Sequence, residues 1–324
     1  MHDGRKFKVK DLKGKATLAL LFALGFTLFS FNARAAERAG AAFLKIDVGA
    51  RAIGMGGAFT AVADDASAAY WNTAGLAALQ RREAVAAHAD WLAGLRHDYA
   101  AYAHPGAFGG TLGVNVVSLR AGEIEGRDSQ RQAVGSFTAA DTAVGVSFAK
   151  SLGMTMAGIN VKLIEQRLAS HRARGAAVDL GLLRPLPIQG LTLGLAAQNL
   201  GPRLAFDDSR SFALPFMLKT GLAYSPLRFL TMAGDLKYEP RNRLWQAAYG
   251  IEFTPLPLLA LRAGYHLNPF GGALIGSAEE ESNPLAGFQG GIGVAAGKSC
   301  RLDYAIVPLG DIGNVQRFSL SVKF

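Results

Sequence analysis

The last eight residues alternate without a break. Phe318, Leu320, Val322 and Phe324 are apolar, while Arg317, Ser319, Ser321 and Lys323 are polar. A period of two puts these sets on opposite faces of a β-strand. A strand that ends on its own apolar face must be paired along its edge and must face something apolar. The same texture runs back to Glu83. Trp245, Ala247, Tyr249, Ile251 and Phe253 oppose Gln246, Ala248, Gly250 and Glu252. Leu259, Leu261, Ala263 and Tyr265 oppose Ala260, Arg262, Gly264 and His266.

Alternation and turn residues together mark fourteen strands. They lie near 83–89, 96–103, 111–119, 139–149, 154–165, 174–183, 191–198, 215–224, 230–238, 243–253, 258–267, 286–295, 300–307 and 315–324. Half of the residues are hydrophobic. Even so, beyond Ala35 no apolar run reaches the ~18 residues of a membrane-spanning helix. Hydrophobicity interleaved in segments of about ten residues is the pattern of a membrane barrel, whose lipid-facing and lumen-facing positions alternate.

The connections sort by parity. His104–Gly110, Lys150–Gly153, Arg184–Gly190, Ser225–Arg228, Thr254–Pro257 and Ala296–Ser299 form a short set, mostly holding Pro or Gly for tight turns. The other set contains the long ones, Arg120–Thr138, Asn199–Leu214 and Asn268–Pro284. Membrane barrels have short periplasmic turns and longer outer loops, so the parity fits an even strand number with the C-terminus in the periplasm.

Residues 1–35 read as an export signal. Arg5, Lys6, Lys8, Lys10, Lys13 and Lys15 precede an uncharged run from Ala16 to Phe31. Ala33-Arg34-Ala35 then predicts cleavage before Ala36. The run is short for a spanning helix, which takes about 20 residues. The chain carries 34 Lys+Arg and 25 Asp+Glu, but seven of those bases and two of the acids lie in the leader. Without it the balance falls from +9 to +4, with no basic cluster suited to nucleic acid. Cys300 is alone and forms no internal disulfide. The six scattered histidines have no partner at metal-ligand spacing, so no metal or other cofactor is expected.

Lys219, Asp235, Lys237 and Glu252 fall on the inward faces of three successive strands, and Arg262, Arg301 and Asp303 extend them. Opposite charges there pair across the ladder, stiffening the wall or lining a conducting path. Inward Gly and Ala leave room for a filling, and residues 36–82 are the candidate. This stretch is not strand-like. Gly54-Met55-Gly56-Gly57 lacks the spacing and the Lys of a phosphate loop, which leaves close backbone packing. Asp64 or Asp65 is positioned to cap a short helix through Trp71. A catalytic carboxylate pair is disfavoured, since adjacent side chains point apart. A hydrolase would need a serine partner for His266, and none is marked, so the chain reads as a non-enzyme.

Phe43-Leu44-Lys45-Ile46-Asp47-Val48-Gly49-Ala50-Arg51-Ala52-Ile53-Gly54-Met55-Gly56-Gly57-Ala58-Phe59, with Ala63-Asp64-Asp65 and Asn72-Thr73-Ala74-Gly75-Leu76, resembles the PorV/PorQ family within the FadL-like group of outer-membrane proteins. Thr73 stands where that family's pattern usually has proline. The resemblance implies an all-β chain, a 14-stranded antiparallel transmembrane β-barrel at 83–324, with 36–82 folded inward as a hatch or plug. It implies the outer membrane of a Gram-negative bacterium, with lipid around the wall. FadL-like relatives take up hydrophobic small molecules, for which Phe43, Ile53, Met55, Phe59, Tyr70 and Trp71 are the candidate pocket. PorV-like relatives bind exported protein cargo in type IX secretion, for which the outer loops and Glu279-Glu280-Glu281 are the candidate surface. Phe318, Leu320, Val322 and Phe324 look like the signal read by the barrel assembly machinery. The sequence does not say whether the wall has a lateral opening; the place where one is expected, if it exists, is the connection after Leu119, near Gly122 and Gly126.

Overall fold

A computed structural model describes residues 40–127, 129–206, 211–267, 287–309 and 313–324. The leader, the cleavage site and all of Asn268–Pro284, with its three glutamates, lie outside them.

Fourteen strands close into one antiparallel ring. They are β1 Glu83–Asp90, β2 Arg96–Ala107, β3 Gly110–Arg120, β4 Ala139–Leu152, β5 Thr155–Leu168, β6 His171–Pro185 and β7 Leu191–Leu200. The ring continues with β8 Met217–Leu227, β9 Leu230–Glu239, β10 Leu244–Leu256, β11 Leu259–Leu267, β12 Phe288–Ala296, β13 Cys300–Pro308 and β14 Asn314–Lys323. Each pairs with its sequence neighbours, and β14 returns to β1 from Glu83↔Lys323 to Asp90↔Gln316. Closure leaves no ladder edge open, the condition under which a sheet is stable in lipid.

The alternation read from the sequence sets the two faces. Val146, Leu163, Ile251, Ile292, Leu302, Phe318 and Leu320 are exposed, whereas Asn160, Asp179, Lys219, Glu252, Arg262, Asp303 and Arg317 are buried. This is a protein with its apolar side chains outward and its charges inward. Outward aromatic pairs mark both rims: Tyr238 stacks on Trp245 at 4.4 Å near one end, and Phe229 meets Phe253 at 6.0 Å near the other. From Trp245 to Phe253 is about 26 Å along the strand at ~3.3 Å per residue, close to the height of a barrel's apolar band. Phe318, Leu320 and Phe324 of the closing strand belong to this outer face, as expected. No helix among the described residues is long and apolar enough to cross a membrane. Replacing mid-strand Ile292 by arginine is expected to cost about 2–4 kcal/mol in a vesicle refolding titration. A face turned to water would tolerate that change almost without cost.

Both chain ends of the ring lie at one end, here called the terminus end, where every connection between consecutive strands is short. The long connections gather at the opposite, loop end. The 121–138 connection carries its own hairpin, Ile124–Arg127 paired with Ala133–Phe137. Leu204–Phe206 of the 201–216 connection pairs with the loop end of β6. The wall is unbroken where an opening would be expected: β3 and β4 pair without interruption from Thr111↔Ala149 to Arg120↔Ala140. Gly126 belongs to the hairpin above that ladder. The irregular seam is between β6 and β7, where the register shifts between Val178 and Leu180.

Residues 40–82 enter at the loop end, where Gly40 N–H donates to Ala213 O at 2.9 Å, and finish at Glu83 at the terminus end. Between them lie α1 Ala50–Gly54, α2 Ala68–Trp71 and a 3₁₀ turn Thr73–Ala78. The segment packs against inward-facing strand residues, and its backbone sits on glycines that oppose one another across the ladder. Gly158↔Gly181 receives Asn72–Ala74, Gly194↔Gly221 receives Thr60–Ala61, and Gly250↔Gly264 receives Met55–Gly56. A Cβ on Gly158 would stand 2.5 Å from Thr73 C, and one on Gly264 would stand 1.9 Å from Gly56 N. Main chain meets main chain there, which only glycine allows.

Candidate functional site

Two cavities lie on opposite sides of α1. The loop-end cavity holds about 220 Å³ and is lined by Phe43, Ile46, Ile53, Trp91 and Val307 together with Lys45, Asp47, Lys237, Glu239, Gln246, His266, Gln289 and Arg317. The terminus-end cavity holds about 360 Å³ and is rich in charge, with Arg51, Asp65, Glu83, Lys298, Arg301, Asp303 and Lys323 on its walls beside Pro257, Ala295 and Cys300.

The loop-end cavity is amphipathic for a local reason. The 3₁₀ turn Ala42–Lys45 buries Phe43 and Leu44 and swings Lys45 across to Glu239 at 3.1 Å. Trp91, on the β1–β2 connection, lies over the Arg317 guanidinium at 4.9 Å. Arg317 Nη1 donates to Asp47 O at 2.6 Å, while its buried Nε and the buried Gln289 Oε1 have no hydrogen-bond partner. Lys237 reaches Glu239 only at 3.7 Å. A smaller chamber of about 20 Å³ continues from this floor past Asp47, Lys237 and His266 to Lys219 and Trp71. The result is an apolar wall over a floor where donors outnumber carboxylates.

Between the cavities stands an ionic cluster. Arg51 on α1 donates to Glu252 Oε1 at 2.9 Å and Oε2 at 3.0 Å, to Asp64, and to Asp65 at 2.8 Å. Burial pulls the Arg51 guanidinium down, but Asp64, Glu252 and Asp65 outweigh it and hold it above its ordinary value. Glu252 also binds Arg262 at 2.7 Å, Arg262 binds Asp303 at 2.9 Å, and Asp303 binds Arg301 at 3.0 Å. Glu252 and Arg262 face each other on the β10–β11 ladder and pair as expected, whereas Arg262 reaches Asp303 past the intervening β12 and Arg301 pairs with Asp303 on its own strand.

The remaining charges go elsewhere. Lys219 sits directly opposite Lys237 and lies 4.8 Å over the Trp71 ring and 5.8 Å over Tyr70. Asp235 accepts from the backbone N–H groups of Phe59 and Thr60, at 3.0 and 2.8 Å. These two charges hold the N-terminal segment rather than each other. Of the two cap candidates, Asp65 accepts from the Ser67 N–H at 2.9 Å just ahead of α2, while Asp64 makes no such bond. The N-cap of that helix is Ser67, and both carboxylates converge on Arg51 although they are neighbours in sequence.

Of the six hatch residues marked for a pocket, Phe43 and Ile53 line the loop-end cavity, and Trp71 borders the small chamber. Met55 and Phe59 are fully buried, Met55 on Gly250 and Phe59 against Trp71 at 5.9 Å. The Tyr70 hydroxyl donates to Leu44 O and Ile46 O, and burial pushes its phenol well above its ordinary value. Sequence reasoning missed Arg51, Arg317, Trp91 and Glu239. Arg51 did carry a signal, as the one basic residue inside a glycine- and alanine-rich run. It also missed a buried chain on β3 to β7: Asn115 and Ser147 donate to Asn160, Asn160 donates to Asp179 at 3.0 Å, and Lys162 pairs with Asp179 at 2.8 Å. Asn72 anchors the segment nearby, donating to Thr60 O at 2.8 Å and Leu182 O at 3.0 Å. Asn72→Ala strands both carbonyls and is expected to cost about 2–3 kcal/mol in a urea titration.

Residues 29–176 match the model of UPF0164, an uncharacterised protein family. No curated protein sequence matches the chain. Solved structures are similar in fold. The Pseudomonas putida toluene transporter TodX has a TM-score of 0.59 at 13% identity, covering 85% of this chain and 96% of its own. The Ralstonia pickettii toluene transporter TbuX gives 0.58 and 13%, covering 86% and 98%. A Pseudomonas aeruginosa FadL homologue gives 0.55 and 11%, with the same coverage as TbuX. By fold, the chain is similar to the closed fourteen-stranded barrels of the FadL type.

Proposed function

We propose that this protein lies in the outer membrane with its loop end outward and passes hydrophobic small molecules inward. The observation that carries the reading is the loop-end cavity. Phe43, Ile46, Ile53, Trp91 and Val307 offer an apolar wall of a size suited to a small ring or a short chain. Arg317, Lys237 and Gln289 below them favour a solute that carries an acceptor or an anionic group. Residues 36–82 serve as the hatch between this cavity and the charge-rich one beneath. The alternating closing strand to Phe324 serves as the address for the assembly machinery. The similar fold of transporters of toluene supports the reading at the level of architecture.

Trp91 supplies its own test, since it lines the cavity. Titrating the purified protein with toluene and with benzoate is expected to change its fluorescence saturably. Phe43→Arg should weaken that binding about tenfold or more, because a charge replaces the apolar wall. A titration that never saturates in the folded protein would count against the cavity as the entry site.

A further inference from the structure

We infer that the pathway opens by movement of α1 alone, with the rest of the N-terminal segment staying docked. This rests on the transport reading above and concerns how that route is gated. The helix has open space on both faces, since Ile53 borders the loop-end cavity and Arg51 the terminus-end cavity. It is hinged at both ends. Gly49 has φ +79° with nothing within 4 Å of an added Cβ, and Gly56 and Gly57 have φ +68° and +80°. These backbone conformations turn without a side-chain penalty.

The other half of the segment is held differently. The Thr73–Ala78 turn packs on β5, β4 and β6, seated in the Gly158↔Gly181 notch and pinned by Asn72. α1 packs on β11 to β14 with Gly54 close to Gly291, one buried bond from Ala50 N–H to Ser319 Oγ at 2.7 Å, and the Arg51 clamp, while Met55–Gly56 behind it stay seated in the Gly250↔Gly264 notch and form the fixed side of the hinge.

The distribution of counterions makes the motion feasible. Breaking a buried ion pair is costly when it leaves a bare charge. Here Arg51, pivoting away from Glu252, turns onto Asp64 and Asp65 in the docked part of the same segment. Glu252 keeps Arg262, with Arg301 at 3.8 Å. Neither side of the break is stranded. The cluster is a latch whose halves are each neutralised on their own side, and its release joins the two cavities.

The native protein provides one test. In hydrogen–deuterium exchange with mass spectrometry, peptides covering 49–54 are expected to exchange at least about tenfold faster than those covering 72–79, reflecting local opening. Equal rates would mean the segment moves as a unit and would overturn the proposal. A second test uses Ser321→Cys in a Cys300→Ser background, because Ser321 lines the terminus-end cavity. In proteoliposomes with the loop end outward, a charged methanethiosulfonate added outside should label this cysteine slowly. Arg51→Ala should speed labelling about tenfold or more, and Glu252→Gln should act in the same direction. Unchanged rates in variants that keep the gel shift of a closed barrel would sink the latch. Neither readout involves a hydrophobic solute, so failure of ligand binding would defeat the transport reading and leave this one standing.

Discussion

Gly264→Ala is expected to expel Met55 and Gly56 from the wall while the barrel itself still closes. A Cβ there would lie 1.9 Å from Gly56 N and 2.3 Å from Met55 C, and both contacts are main chain that no rotamer change can move. Across the ladder, Gly250 is under the same constraint, with Met55 O at 2.3 Å. The ladder bonds of β11 are untouched, and alanine is tolerated in a strand. The cost therefore falls on docking, about 3 kcal/mol at the upper end of overpacking. That is about a hundredfold more undocked segment. Limited proteolysis within residues 40–82 should accelerate accordingly, with the heat-dependent gel shift retained. Gly290→Ala is the control, because its nearest neighbour, Ile306, is 3.9 Å from the new Cβ. Equal proteolysis rates in the two variants would refute the docking account.

The second large effect concerns Glu252. It binds Arg51 and Arg262 at once, and Arg262 is fully buried. Glu252→Ala removes a charged hydrogen-bond acceptor from two guanidinium groups, but Arg51 keeps Asp64 and Asp65 and Arg262 keeps Asp303, so the expected cost is about 1.5–3 kcal/mol. Added salt should rescue little of this, since buried charges are weakly screened. A Glu252→Leu/Arg262→Leu double variant should lie closer to the wild type than the sum of the singles predicts, because the pair is coupled. Additive losses in urea titrations from lipid vesicles would show that the two groups act independently.

The barrel was legible because lipid and lumen impose opposite chemistry on alternate residues. That is why segments such as 244–256 and 314–323 declare both their strands and their faces. Boundaries were less legible. β6 extends to His171 because its hairpin with β5 runs on to Leu168↔His171 and Leu204–Phe206 of a distant connection pairs at Ala173 and Arg174, beyond the point where local alternation gives a signal. The N-terminal segment was legible only as something other than a strand. Its helices are four and five residues long, too short for a periodic face. Asp64 and Asp65 illustrate the limit: their local role as caps is the natural reading, but their partner Arg51 is itself committed to Glu252, 201 residues away. Inward glycines signalled a filling, but not that the glycines come in opposed pairs. The narrower likeness to PorV/PorQ rests on residues 43–76, and a secretion role would place cargo at the 121–138 hairpin. Recovery of an exported protein with the purified barrel is the result that role requires.

The central claim is passage of a hydrophobic small molecule through this barrel. Its most direct measurement is the initial rate at which radiolabelled toluene or benzoate enters cells lacking the protein, complemented with the wild type or with Phe43→Arg. The wild type is predicted to restore entry of at least one of the two compounds, and Phe43→Arg to fall back toward the deletion strain despite a normal amount of folded barrel. Equal rates in all three strains would contradict the account.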